Sequence, residues 1–147
     1  MPPGPRAAGP RGSRAVLRET LLVALGGALG AVARWLFSKA IQAGHEFPVG
    51  TLAVNVLGSI LLGFVLEASL LYGVFTRDQR LLIATGFAGA FTTFSTFMYE
   101  SFSLVREHEG LQALAYVALS LGLGLAGIYL GAVLANMVYG RGTLATP

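Results

Sequence analysis

Cysteine is absent from the chain, and charged residues are scarce, at 12% of 147 residues. Without cysteine there is no disulfide framework, no thiol nucleophile and no thiolate metal site. Soluble domains carry about 25% charged residues, whereas this chain is 54% hydrophobic. A chain this apolar holds about four spanning helices and little else. The composition therefore predicts an all-α membrane protein with four transmembrane helices.

Carboxylates, lysines and histidines are missing from the four apolar segments, which cover residues 21–37, 47–66, 81–99 and 110–140. A small multidrug-type transporter relies on a membrane-embedded carboxylate, so this alternative is disfavoured. The serines and threonines have no acid or base at membrane depth to activate them, which predicts that the chain is not an enzyme. Phosphate-binding loops and metal-ligand spacings are absent from the sequence as well.

Residues 1–18 hold four of the six prolines and four arginines. This composition predicts a disordered basic tail, followed by a four-helix channel domain over 19–140 and a short C-terminal tail over 141–147. The net charge of +3 comes largely from this tail, so it indicates a topology signal and no nucleic-acid partner. A rival interpretation is a signal peptide with its cleavage site near Val32.

The third apolar segment contains the run GFAGAFTTFSTF over residues 86–97. Glycine and β-branched threonine are poor helix formers. Hydroxyls at membrane depth also need partners on the preceding turn, on another helix or on a substrate. The pattern predicts a transmembrane helix that is broken near its middle, between Gly89 and Thr92.

Rings and hydroxyls alternate beyond this break. Phe94 and Phe97 are three residues apart and share a face, while Thr93 and Thr96 share the neighbouring face beside Ser95. Ring edges carry positive potential, and hydroxyls donate hydrogen bonds, so the two together suit a small anion. The alternative is that the rings only pack and the hydroxyls bond their own backbone. Glu100, one turn beyond Phe97, is expected to be solvated near the interface.

Two polar residues stand out in the first two segments. Asn55 lies inside the second segment, where an unsatisfied amide is costly. It either bonds helices together or lines a polar path, with its NH₂ donating to an anion while its carbonyl is held by the protein. Arg34 lies beside Trp35 and is either a snorkelling interface residue or a fixed charge at the mouth of an anion path.

The run GFAGAFTTFSTF resembles the third transmembrane segment of the Fluc (CrcB) fluoride channels, and the resemblance extends over residues 21–136. It implies a fluoride-selective passive channel in the cell membrane that exports cytoplasmic fluoride down its electrochemical gradient and protects against fluoride toxicity. Asn55 resembles the pore asparagine of the family's second helix, and Arg34 resembles the arginine that ends the first. In the fourth segment, the resemblance implies that Tyr116 and Ser120 line the ion path.

The expected anion pathway therefore consists of Asn55, Phe94, Phe97, Thr93, Ser95, Thr96, Tyr116, Ser120 and Arg34. At the turn after Ser120 the chain has Gly124, which carries no hydroxyl, so the exit of the polar track is left open. The alternative from another class is a non-transporting membrane scaffold, in which Asn55 and the threonines only bond helices together.

Assembly is predicted from the same segments. Small-residue pairs in the first, second and fourth segments offer more helix contacts than one monomer satisfies, and a broken helix exposes carbonyls that hydrocarbon does not tolerate. We therefore expect an antiparallel, dual-topology homodimer in which the two breaks meet. The carbonyls of Gly89 and Thr92 from both copies would then hold one structural cation, which the resemblance implies is Na⁺.

The distribution of basic residues bears on this topology. Seven arginines on the side of the two termini face two basic residues on the other side, which favours one orientation. Without the four arginines of the tail the count is three against two, which is close to the balance that dual insertion needs. We expect the core to insert both ways, with the tail biasing this only in part.

Overall fold

The structure of the protein is a computed structural model that describes residues 12–140, and the regular elements within this range are all helices. Four stretches are each long and apolar enough to cross a membrane, which confirms the prediction of four spans: Ser13–Gln42, Val49–Tyr72, Arg77–Arg106 and Gly110–Tyr139. The first two spans are helices α1 and α2, and the last is helix α6. The third span is divided into α3 (Arg77–Arg80), a π-helical segment (Leu81–Ala88), α4 (Gly89–Phe91) and α5 (Phe94–Arg106).

The first helix begins at Ser13, so residues 13–18 are helical although the sequence assigned them to the basic tail. Ion pairs hold this end of α1 against α3, because Arg18 pairs with Asp78 and Arg77 pairs with Glu19 at 2.8 Å. These partners lie some 60 residues away in sequence, where no local pattern indicates them. Residues 1–11 of the predicted tail, and the C-terminal tail over 141–147, lie outside the described residues.

The second helix continues to Tyr72, beyond the predicted end of the apolar segment at residue 66, so Glu67 is helical. It ends at Gly73, whose φ of 62° is left-handed, and the Gly73 N–H bonds back to the carbonyls of Ala68 and Ser69. Only glycine adopts this conformation at little cost, and it commonly ends helices in this way.

The predicted break in the third helix is present, at Thr92 and Thr93. Both residues have extended backbones, with φ/ψ of −83°/157° at Thr92 and −148°/117° at Thr93. Gly89, where the sequence placed the start of the break, has helical angles of −62° and −34°. The interruption is therefore shorter than predicted and lies at its threonine end.

Glycines permit the close helix contacts that surround the break. A Cβ at Gly26 of α1 would collide with the carbonyl oxygen of Leu82 in the π-helical segment, and one at Gly131 of α6 would collide with that of Ile60 in α2. Helix α1 therefore packs backbone to backbone on the third span, and α6 does the same on α2. The second of these contacts sets the depth of α6 relative to α2.

Candidate functional site

Asn55 of α2 bridges the break in the third span. The N–H of Thr93 donates to Asn55 Oδ1 at 2.7 Å, and Asn55 Nδ2 donates to the carbonyl oxygen of Thr93 at 3.1 Å. The side-chain amide thus satisfies both backbone groups of a residue that has left the helix, as buried backbone groups require. The side-chain carbonyl of Asn55 is held by the protein, while one of its two N–H donors is not used in this bridge.

Thr93 also organises the hydroxyls that follow the break. Its Oγ1 accepts from the N–H of Thr96 at 3.3 Å and so caps the N-terminus of α5. The same hydroxyl donates to Thr96 Oγ1 at 3.0 Å and lies 3.4 Å from Ser95 Oγ. The backbone of Thr93 is thus held by Asn55, and its side chain joins a cluster of three hydroxyls.

The carbonyls of Gly89 and Thr92 are among those that lose their helical partners at the break. In an unbroken helix the Gly89 carbonyl would accept from the N–H of Thr93, and the Thr92 carbonyl from the N–H of Thr96. Both N–H groups bond elsewhere, to Asn55 and to the Thr93 hydroxyl. These are the two carbonyls that were predicted to hold a structural cation. Within residues 12–140, no cluster of three or more His, Cys, Asp or Glu side chains offers an alternative metal site.

A cavity of about 310 Å³, here called the inner cavity, lies where α2 and α6 meet the break. It brings together five of the predicted pathway residues: Asn55, Thr93, Phe94, Phe97 and Ser120. The Ser120 hydroxyl is buried and has no hydrogen-bond partner among the described residues. Since buried polar groups are nearly always satisfied, this hydroxyl indicates a site where water or a ligand supplies the missing partner. Gly89 and Thr92 line the same cavity.

The two phenylalanines differ in their surroundings although they share a face. Phe94 is 73% exposed, whereas Phe97 is only 5% exposed, and their ring centroids are 6.0 Å apart. Phe97 packs edge-on against Tyr116 at 5.2 Å. The cavity is therefore bounded by one ring fixed in the core and one ring that a single chain leaves largely uncovered.

Tyr116 lies outside the set of residues that line the inner cavity, in contrast to Ser120 one turn away. It is fully buried, and its hydroxyl donates to Glu100 Oε2 at 2.7 Å. The other carboxylate oxygen, Oε1, accepts from the hydroxyl of Thr51 at 2.8 Å. The prediction that Glu100 is solvated missed these contacts: the residue is only partly buried, but two hydroxyls from α2 and α6 bind its carboxylate. A membrane-buried tyrosine hydroxyl that needs an acceptor was the signal available in the sequence.

A second, wider cavity of about 620 Å³ lies toward the C-terminal end of α1. It is lined by Arg34, Lys39 and Thr96, among others, and is here called the basic vestibule. Thr93 lines both this vestibule and the inner cavity. Thr93 thus lies between the two cavities. Of the predicted pathway residues, only Ser95 and Tyr116 line neither cavity, although Ser95 contacts Thr93.

Comparison with known proteins gives a consistent result. Residues 21–132 match the family described as CrcB-like protein, Camphor Resistance (CrcB). The fluoride-specific ion channel FluC of Chlorobaculum tepidum is 48% identical over 123 residues, which cover 83% of this chain and 98% of that protein. The proteins of the same name from Pyrococcus furiosus and Methanocaldococcus jannaschii are 47% and 44% identical, over 82% and 84% of this chain and 98% and 99% of their own lengths.

Proposed function

The chain belongs to the CrcB-like family, and from this premise we propose that it is a fluoride-selective passive channel that exports cytoplasmic fluoride and so protects against its toxicity. It is a multi-pass membrane protein and not an enzyme. The observation that carries the proposal is the inner cavity. There a hydroxyl without a partner among the described residues, an amide with an N–H that the Thr93 bridge does not use, and two aromatic rings converge.

The cavity chemistry matches the needs of a small, strongly hydrated anion. A path for fluoride has to replace its water by good hydrogen-bond donors, and Asn55 and Ser120 each offer one. The edges of Phe94 and Phe97 add positive potential without a formal charge. A narrow path of this kind compensates the desolvation of the larger chloride poorly, which is the basis of the proposed selectivity.

Anions enter this path from the basic vestibule. The fixed charges of Arg34 and Lys39 raise the local concentration of anions there. The hydroxyls of Thr96 and Thr93 then lead to the inner cavity, whose described lining residues include no titratable group. Transport therefore proceeds without a bound proton and follows the electrochemical gradient.

A non-transporting scaffold is the competing function, and one contact favours it. The bridge between Asn55 and Thr93 does bond two helices together. A scaffold, however, has no use for a cavity lined by donors, or for a buried hydroxyl that no group in residues 12–140 satisfies. A flux measurement separates the two functions, because a scaffold conducts nothing.

The active form that we propose is an antiparallel, dual-topology homodimer. Phe94 forms part of the cavity wall yet is 73% exposed in one chain, so a second copy seated against it would complete the path. Cysteines introduced at Glu46 and at Val74 lie in the connections before and after α2, respectively, on opposite membrane faces. Dual topology predicts that each is labelled from outside intact cells in a fraction of the molecules. Labelling confined to one of the two positions in every molecule would contradict the proposal of an antiparallel dimer.

A structural Na⁺ at the dimer centre is the second part of this assembly. The carbonyls of Gly89 and Thr92 are free of their helical donors, and unwound backbone carbonyls are the groups that coordinate Na⁺ in broken membrane helices. Two copies would supply four such oxygens, which a bound ion shields from mutual repulsion. The protein is therefore expected to unfold at a lower temperature when Na⁺ is replaced by N-methylglucamine. The same melting temperature in both solutions would argue against the ion.

The test of the proposed function is fluoride efflux from liposomes that contain the purified protein. Efflux should begin when valinomycin opens a path for the counter-ion K⁺, and it should need no proton or sodium gradient. Protein-free liposomes provide the control. Efflux that depends on an imposed proton gradient would contradict the channel function and indicate a coupled transporter instead.

A further inference from the structure

The polar track of α6 has a gap at Gly124, one turn beyond Ser120. Gly124 lines the inner cavity but offers no donor. Opposite it lies Ser59 of α2, since a Cβ built on Gly124 would be 3.9 Å from Ser59 Oγ. Ser59 also lines the inner cavity, and it stands one turn beyond Asn55 on the same face of α2.

The hydroxyl of Ser59 is available to a ligand. It donates to the carbonyl oxygen of Asn55, four residues back, at 2.8 Å. That carbonyl is also the ordinary acceptor for the N–H of residue 59 in the helix. The hydroxyl bond is thus a supplementary one, and its proton can turn toward the cavity without leaving the carbonyl unsatisfied.

We propose that Ser59 supplies the hydrogen-bond donor that α6 lacks at Gly124, so that the fluoride path passes from the Ser120 hydroxyl across to α2. This inference rests on the proposed channel function and identifies one of its donors. Gly124 contributes the space, because the absence of a side chain there leaves the cavity open between Ser120 and Ser59. The polar track therefore continues on a different helix instead of ending at the glycine.

The first test is fluoride efflux by the Ser59→Ala variant in proteoliposomes. Loss of one hydrogen bond to a charged ligand predicts efflux slower by about tenfold or more. Ser69→Ala is the matched control, since the Ser69 hydroxyl makes the same kind of bond on the same helix, to Val65 at 2.6 Å, and does not line the inner cavity. It should retain wild-type efflux. Wild-type efflux in Ser59→Ala overturns the inference while leaving the channel function intact.

The second test restores the donor from the opposite helix. Serine at position 124 has room, because Ser59 Oγ is the only atom of a neighbouring element that comes within 4 Å of a Cβ at this position, among the described residues. The double variant Ser59→Ala/Gly124→Ser should recover most of the lost efflux. A loss that Gly124→Ser leaves unrepaired overturns the inference, because Ser59 would then act only through the carbonyl of Asn55.

Two further measurements separate failure of this inference from misfolding of the variant and from failure of the proposed function. If Ser59→Ala does not elute as the wild type does on size exclusion, Ser59→Cys keeps the shape of the side chain with a somewhat larger atom and supplies only a weak donor. It should then conduct at a reduced rate, and full conduction would overturn the inference. Absence of fluoride efflux from the wild-type protein itself would contradict the proposed function, and this inference with it.

Discussion

Replacing Asn55 by aspartate is expected to abolish most fluoride conduction while leaving the protein folded. The substitution keeps the acceptor for the Thr93 N–H at 2.7 Å. It also puts an oxygen where Nδ2 now donates to the Thr93 carbonyl at 3.1 Å. Two acceptors then face each other across the break, and an unsatisfied buried acceptor costs about 1–3 kcal/mol.

The larger effect acts on the anion. An ionised carboxylate about 6 Å from a fluoride repels it by about 3 kcal/mol at an effective dielectric constant of about 20. An energy of that size lowers occupancy of the inner cavity roughly 100-fold. The Asn55→Asp variant is therefore expected to lose about two orders of magnitude in fluoride efflux, measured with a fluoride electrode on proteoliposomes.

Two control variants separate the bridge from the path. Asn55→Ala removes the bridge without adding charge, so its efflux should fall less than that of Asn55→Asp. Asn136→Ala removes another amide between α2 and α6, which bonds Tyr72 at 2.6 Å and Glu67 at 3.3 Å outside the inner cavity. It should lower the melting temperature and retain efflux. Full efflux in folded Asn55→Asp would refute the pathway role and leave Asn55 as a bond between helices.

Three further predictions follow from the geometry. Phe94→Ile and Phe97→Ile keep apolar bulk but remove the ring edges, so each should slow efflux without loss of assembly; unchanged efflux in both would reduce the rings to packing. Gly131→Ala forces a Cβ against an α2 carbonyl and should cost about 1–3 kcal/mol of stability, measured by thermal unfolding. Gly122→Ala in the same helix meets open space within the described part of the chain and is the control that should be neutral or stabilising. Glu100→Gln replaces one of two acceptor oxygens, so it should lower the melting temperature; an unchanged value would mean that the carboxylate is not needed there.

The spans were predictable from the positions of the uncharged runs, but their ends were not. Uncharged runs identify membrane helices because hydrocarbon tolerates little else. The helix bounds depend on partners remote in sequence, as the pairing of Arg18 with Asp78 shows at the start of α1. The end of α2, by contrast, is marked locally, because the left-handed Gly73 directly follows Tyr72.

The break illustrates the same limit at the candidate site. Glycine and threonine content predicted an interruption, but glycine only permits one, and Gly89 stays helical. Its position is set by Asn55, 38 residues away, which pairs with the backbone of Thr93. Periodicity placed Tyr116 and Ser120 on one face, yet only Ser120 reaches the inner cavity, because the carboxylate of Glu100 binds the tyrosine hydroxyl. That carboxylate carries no local signal that distinguishes it from a solvated one.

The donors of the inner cavity are expected to conduct fluoride in preference to chloride. The most direct measurement compares the efflux of the two anions from the same preparation of proteoliposomes, loaded with either salt and started with valinomycin. Rapid fluoride efflux is expected, with chloride efflux close to that of protein-free liposomes. Equal efflux of the two anions, or no efflux of either from folded protein, would contradict it.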